Sequence, residues 1–447
     1  MPEDNRARLK QWLESGEARL HPLTLPQREL WEASPVPPGS VANHICAFIQ
    51  VRGALVLKDG EAAIQRVVER QEALRTSFLP GKAQPVQLVR SSGTAVMHYR
   101  ELPASEHDDD ALEAAMRDIF LEPFDLLRGP LFRTAWLQRG PDEFVMVFAI
   151  HHAIADGWTL GVFVQDLVAA YLMTRHGRAA PLPAVPESYS AWGAAERAYW
   201  TPRILAERGD FWNKRLAGSG HLWAAPALVD LAQPLTRRIT HVDATLATAV
   251  RNLARANGAT LFSTLLTAFQ WALWRWTGKD DITVGTPVAN RNRKAAHETM
   301  GYYAGNVPLR VQVDPGKPFS IALREGHSSN TDAFAHYMPF AELVKALGDQ
   351  DTVHHPVYSV RFALQNHPVP DVNLPGLAMK LRMRSTGTAR FDLACEVTEE
   401  GDRLEVVWLH RASMFSSDDI DTLNGLFVAV LALVSGDPES RPSLINL

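Results

Sequence analysis

At 447 residues the chain is too long for one ordinary core, and two or three domains are expected. Its 46% hydrophobic and 21% charged residues are those of a globular enzyme. The formal net charge of -5 and the lack of a long basic block argue against a nucleic-acid partner.

Two cysteines, Cys46 and Cys395, are too few for a disulfide framework, which suits a reducing, cytoplasmic setting. The N-terminus has no apolar stretch like that of a signal peptide. The longest clean apolar run, Leu426 to Val434, is about half of what a bilayer span needs. No membrane partner is expected.

Residues 6–15 place Leu9, Trp12 and Leu13 on one helical face, as a first helix or a small docking element. Leu23-Thr24-Leu25-Pro26-Gln27-Arg28-Glu29-Leu30-Trp31 reads as an amphipathic helix started by its proline. Ile45–Val51 reads as a strand, and Asp59-Gly60 opens a helix carrying Ile64, Val67, Val68 and Leu74. That helix ends in Arg70-Gln71-Glu72-Ala73-Leu74-Arg75-Thr76-Ser77-Phe78. Arg75 is either a brace for a buried carboxylate or a solvated arginine at a helix end.

Phe144–Ile150 is short and rich in Val and Phe, so it reads as a strand buried on both faces. Thr159–Met173 reads as a helix with Leu160, Val164, Leu167, Val168 and Tyr171 inward. Between them lies His151-His152-Ala153-Ile154-Ala155-Asp156-Gly157-Trp158, on a strand-to-helix turn. Imidazole titrates near neutral pH, so one histidine can accept or hold a proton. Neighbours on an extended chain point opposite ways, so one histidine should face a substrate and the other should pack. Asp156 can cap the next helix or pair with a cation. Gly157 allows a sharp turn or close approach of a substrate. His, His and Asp are also metal-ligand types, but no further ligand follows at a usual spacing, and no metal is expected. Taken alone, the pair also fits two satisfied histidines in a buried turn.

From His176 to Ser188, Pro181, Pro183 and Pro186 exclude a helix or a central strand, which suggests a crossover between lobes. A helix through Trp212 is amphipathic. Ala259–Thr277 is a helix by the spacing of Leu261, Leu265, Phe269, Leu273 and Trp276, stopped by Gly278. Asp281–Val284, Pro356–Asn366 and Phe391–Val397 read as strands. His354-His355 lacks an Asp-Gly partner and reads as surface loop.

His-His-x-x-x-Asp-Gly resembles the signature of the condensation domains of nonribosomal peptide synthetases. Other stretches resemble that family's further motifs, in order and across nearly the whole chain. Thr24–Trp31 is similar to Ser-x-Ala-Gln-x-Arg-hydrophobic-Trp, with Pro26 for Ala. Arg70–Phe78 is similar to Arg-His-Glu-x-Leu-Arg-Thr-x-Phe, with Gln71 for His. Tyr189-Ser190-Ala191-Trp192 resembles the start of a fourth motif. Val284–Arg291 resembles a fifth, with Asn290 where Gly is common. Met300–Val307 resembles a sixth, with Tyr303 for Phe, Ala304 for Val and Gly305 for Asn. His336–Phe340 loosely matches a seventh.

The resemblance implies an α/β (α+β) fold: two chloramphenicol acetyltransferase-like lobes set in a V around a central tunnel. The lobes would be 1–185 and 186–447, with bridging segments near 285–295 and 360–395. It implies acyl transfer from a carrier-protein thioester to an amine or hydroxyl nucleophile. Substrates would arrive on phosphopantetheine arms of a donor carrier and an acceptor carrier, or the acceptor would be a free small molecule. No cofactor would be bound by this chain, which is expected to be a monomer. His152 is the candidate catalytic residue, supported by His151, Asp156, Gly157 and Arg75, with Arg75 paired to Asp156. Trp158, Arg291, Tyr302, Asn306, Ser359 and Gln365 would line the tunnel. Backbone N–H groups near Gly157 would hold the oxyanion.

No adenylation motif, P-loop or carrier serine is recognisable, so a free-standing enzyme or a domain of a larger one is expected. A coenzyme A-dependent small-molecule acyltransferase is an alternative, although the Asp-Phe-Gly-Trp-Gly stretch of its plant-type members is missing here. A non-catalytic recruitment domain is another, although such domains typically lose the second histidine and His152 is intact. An epimerase is a lesser option.

Overall fold

The computed structural model describes residues 3–32, 40–103, 108–178, 180–223, 235–348, 357–365, 372–374, 377–384 and 391–445. His354-His355 lies outside these, as do Pro356 and Asn366 of one expected strand.

A small three-stranded sheet, order β1-β4-β3, opens the chain (β1 Ala18–Pro22, β3 Thr76–Leu79, β4 Val86–Arg90). Helix α1 (Glu3–Glu14) lies on it, and Arg90 stacks 4.0 Å over the Trp12 ring. Helix α2 (Leu25–Glu32) follows β1.

The first large sheet has the order β12-β13-β2-β7-β6-β5. Its centre is β2 (His44–Gly53) and β7 (Glu143–His151), with β6 (Phe132–Gly140) and β5 (Met97–Glu101) beyond. Residues Phe144 to His151 of β7 are all buried. That explains an unbroken apolar run where a one-sided strand would alternate. Helices α3 (Leu57–Arg70), α4 (Asp109–Leu121) and α5 (Gly157–Arg175) supply the apolar faces that cover it. Phe148 of β7 stacks on Phe163 of α5 at 4.1 Å.

Two strands of this sheet come from far along the chain. β13 (Leu377–Arg384) pairs antiparallel with β2 from Gly53 back to Cys46, and β12 (Val372–Leu374) pairs with β13.

The second large sheet has the order β10-β9-β11-β14-β15-β8. Its strands are β8 (Leu235–Val242), β9 (Asp281–Val288), β10 (Gly305–Gln312), β11 (Val360–Gln365), β14 (Leu393–Glu400) and β15 (Arg403–Arg411). Around it lie α6 (Tyr189–Tyr199), α7 (Pro202–Leu216), α8 (Ala244–Ala256), α9 (Leu261–Thr277), α10 (Phe319–Ala335), α11 (Phe340–Leu347) and α12 (Ser417–Gly436). Leu265, Phe269 and Leu273 of α9 are fully buried, and Phe269 packs on Phe362, Trp408 and Phe427. The aromatic stripe is therefore core. Gly278 ends α9 in the left-handed region, φ 70°. Helix α12 is long and apolar enough to cross a membrane, but its Ile420, Leu423, Phe427, Val430 and Val434 are buried in this second core.

Candidate active site

The histidine turn is built by β7, one 3-10 turn (His152–Ile154) and the start of α5. His151 ends the strand. Its Nδ1 accepts from the Ala153 N–H at 3.1 Å, so a neutral ring carries its proton on Nε2. The ring is buried, edge-on to His44 and Phe124. Chain reversal after His151 puts His152 on another side, half-buried, with its ring edge-on to Tyr302 at 4.6 Å. The two histidines thus have different surroundings, one inside the first core and one against the second half of the chain.

Asp156 caps α5. Its Oδ1 accepts from the Thr159 N–H at 2.9 Å and the Thr159 hydroxyl at 3.0 Å. Thr159 Oγ1 in turn accepts from the Asp156 N–H, closing a capping box. Across the chain, Oδ2 accepts from the Tyr303 N–H at 3.1 Å. Arg291 Nη2 donates to Oδ1 at 3.0 Å and to Oδ2 at 3.3 Å. Burial alone would push this carboxyl up. The Arg291 charge and the N–H groups of Thr159 and Tyr303 reverse that and hold it below the usual aspartate range. Gly157 opens α5 without left-handed backbone.

The partner of Asp156 is therefore Arg291, and the expected Arg75–Asp156 pair does not form. Arg75 closes a 3-10 turn directly after α3, which folds it back along that helix. Its guanidinium donates to the carbonyls of Val68, Glu69 and Arg90. Two of these are carbonyls near the C-terminal end of α3, and a planar cation satisfies several acceptors at once. Arg291, expected in the tunnel wall, instead lies beneath the turn with its side chain 1% exposed. It also donates to the Ala296 and Thr299 carbonyls at 2.5 and 2.7 Å, and it stacks 3.8 Å over Tyr303.

Of the other expected tunnel residues, Tyr302 meets His152, as above. The Trp158 indole N–H donates to the His297 carbonyl, and its ring packs on His297. Asn306 is half-buried, donating to Glu29 at 2.8 Å. Ser359 is buried just before β11, and Gln365 is partly exposed at the end of that strand.

A second layer of supports escaped the sequence reading. The Gln27 amide donates to the Ala153 carbonyl in the histidine turn at 2.8 Å and to Gln87 at 3.1 Å. Tyr189 shares a 2.8 Å bond with Thr24 and donates to the Tyr302 carbonyl at 2.7 Å. Arg70 pairs with Asp166 of α5 and with Glu298, while Gln71 donates to Asp166 and accepts from the Met300 N–H. Glu29 and Glu196 are buried carboxylates. A signal for the first was present, because Glu29 stands where the resembled motif has arginine.

Among the described residues the histidine turn gathers no set of three metal ligands. One such group, His241, Glu400 and Glu405, lies on β8, β14 and β15. Cys46 and Cys395 are free and buried, and burial pushes the Cys46 thiol up to about 12.

The family described as "Condensation domain" matches residues 17–447. A linear gramicidin synthase polypeptide of Brevibacillus parabrevis is 30% identical over 442 residues, which cover 95% of this chain and 9% of that protein. Phosphinothricin tripeptide synthetase PhsC of Streptomyces viridochromogenes is 29% identical, over 93% of this chain and 39% of that protein. The chain thus spans well under half the length of these curated relatives. Two solved structures share the fold. The starter condensation domain of rhizomide synthetase RzmA superposes with a TM-score of 0.85 at 20% identity, covering 96% of this chain and 97% of that one. The X-domain from teicoplanin biosynthesis gives 0.83 at 22% identity, covering 95% and 97%. A match over nearly its whole length, with an ordered series of motifs behind it, makes this chain a member of the condensation domain family of nonribosomal peptide synthetases.

Proposed function

We propose that this chain is a catalytic condensation domain. It transfers an acyl or peptidyl group from a carrier-protein thioester to an amine, or to a hydroxyl, forming an amide or an ester. The observation that carries this reading is the placement of His152. It is half-buried against Tyr302, on a turn clamped from below by Asp156 and Arg291. Rigid support of a proton-accepting group is what general-base or positioning catalysis requires.

The nucleophile attacks the thioester carbonyl while the imidazole of His152 takes or orients its proton. The tetrahedral oxyanion collapses and the pantetheine thiolate leaves, taking up a proton. His151 and Asp156 hold the turn, and Gly157 supplies backbone N–H near the oxyanion. The substrates are carried by phosphopantetheine arms, so the chain itself needs no cofactor. Two reduced cysteines suit a cytoplasmic setting.

The test is intact-protein mass spectrometry of a donor carrier and an acceptor carrier, both loaded, with the chain added. The acceptor carrier should gain the donor acyl mass. His152→Ala should lower the rate by about a hundred- to ten-thousandfold while donor-carrier binding persists. Wild-type turnover by this variant would exclude the catalytic role. A second reading, a recruitment domain, is favoured by the likeness to the teicoplanin X-domain, also solved as a complex with OxyB. No product with any carrier pair, together with capture of a partner enzyme, would support it.

A further inference from the structure

Two elements grip the histidine turn from outside the first sheet, and both are held by one side chain. Helix α2 touches the turn through Gln27, which donates to the Ala153 carbonyl. The turn after β9 touches it through Arg291, which pairs with Asp156. Glu196 of α6 holds both of these elements. Its Oε2 accepts from the Leu25 N–H at the start of α2, at 3.3 Å. Its Oε1 meets the Asn290 amide, directly before Arg291, at 3.4 Å. Asn290 is the one non-glycine residue among those described with left-handed backbone, φ 50°. Asparagine tolerates that conformation, and a side-chain tie selects it. Glu196 is itself 8% exposed.

We propose that Glu196 is a positioning residue that holds α2 and the Arg291 turn in register, and through them fixes the histidine turn. Its catalytic consequence rests on the function assigned to His152 above; its structural consequence does not.

The charge state follows from the surroundings. Burial pushes the Glu196 carboxyl up to about 8, and the Leu25 N–H, the Asn290 amide and the charges of Arg197 and Arg293 pull it only part of the way back. Tyr189 on the same helix and Tyr337 beyond α10 also face it, and Tyr337 feels Glu29 of α2 as well. Near neutral pH the group is therefore a neutral acid. It accepts from the Asn290 side-chain N–H with one oxygen and from the Leu25 N–H with the other. Glutamine has one acceptor oxygen and cannot ionise, so Glu196→Gln keeps one of the two bonds and removes the titration. Above pH 8 the wild-type group ionises, and the cost of burying that charge outweighs its stronger acceptance from the two N–H donors, so the closed arrangement opens to water.

The test is hydrogen exchange by mass spectrometry on the full chain at pH 7 and pH 9, corrected for intrinsic rates. The peptides to follow cover residues 150–160 and 286–303. At pH 9, one unit above 8, the neutral form falls to about one-tenth, so wild-type protection of both peptides should fall about tenfold. Glu196→Gln should show no such fall. Glu196→Ala should be poorly protected at both values. Asn290→Gly keeps the left-handed backbone but drops the amide, so it should unprotect 286–303 and leave α2 unchanged. The proposal is overturned if Glu196→Gln loses protection as the wild type does, or if Glu196→Ala matches the wild type throughout. Where Glu196→Ala fails to fold, the Gln and Asn290→Gly variants decide. With loaded carriers, kcat should follow protection while KM stays constant. A chain that condenses nothing yet shows these exchange profiles would refute only the assigned reaction.

Discussion

Arg291 and Asp156 lie 135 residues apart in sequence and 3.0 Å apart in space, with side chains 1% and 3% exposed. One nitrogen of the guanidinium straddles both carboxylate oxygens, while another holds two carbonyls of its own loop. The pair joins the turn after β9 to the base of the histidine turn.

Removing either partner strands the other charge. Arg291→Ala is expected to cost about 3–5 kcal/mol, the usual penalty for breaking a buried pair from one side. Urea denaturation of wild type and variant measures this. A loss below about 1 kcal/mol would show that water reaches the site and screens it.

The same pair sets an acid limb. Asp156 has its folded value held below the ordinary 3.8. Its contribution to stability is therefore complete above the unfolded value and is lost as pH falls through the folded one. Melting temperatures between pH 6 and pH 2 should fall less steeply for Asp156→Asn than for the wild type, from a lower starting point. Parallel curves would show that other carboxylates govern acid unfolding.

Arg75 separates from this network. Arg75→Ala removes a charged donor from three carbonyls around α3, a loss of about 1.5–3 kcal/mol. It should leave exchange protection at residues 150–160 as in the wild type. A local opening of that segment in Arg75→Ala would mean that α3 and the histidine turn act as one unit.

Gly301 is a packing constraint. A Cβ there would sit 2.3 Å from the Tyr189 ring, which is anchored by its bonds to Thr24 and Tyr302. Gly301→Ala should cost about 1–3 kcal/mol by overpacking and should displace Tyr302 from His152. Thermal melts measure the first effect. The histidine NMR signal that disappears in His152→Ala reports the second. An unshifted signal in Gly301→Ala would show that the Tyr189 ring yields instead.

What the sequence made legible follows from range. β7 announced itself because both its faces are buried, and the Asp156 cap because N-capping is decided within four residues. The identity of the counter-ion was not local. Arg75 and Arg291 both belong to motif-like stretches, and only the fold shows that Arg75 is turned back onto α3 while Arg291 is carried across by β9. Gln27, Tyr189 and Glu196 were illegible for the same reason. Gln27 and Tyr189 lie in motif-like stretches and Glu196 in the same helix as Tyr189, but each gains its role from a bond to a residue far away in the chain.

The strand order of the first sheet has a temporal consequence. When β7 leaves the ribosome, β2 has a neighbour on one side only, because β13 lies more than 200 residues further on. At about 5–20 residues per second, the apolar edge of β2 waits on the order of tens of seconds for its partner. An open strand edge is a template for pairing between chains. Nascent copies on one message are thus vulnerable to each other until residue 384 has been made. A fragment ending at residue 185 would remain so permanently, because the strand that pairs with that edge of β2 lies at residues 377–384.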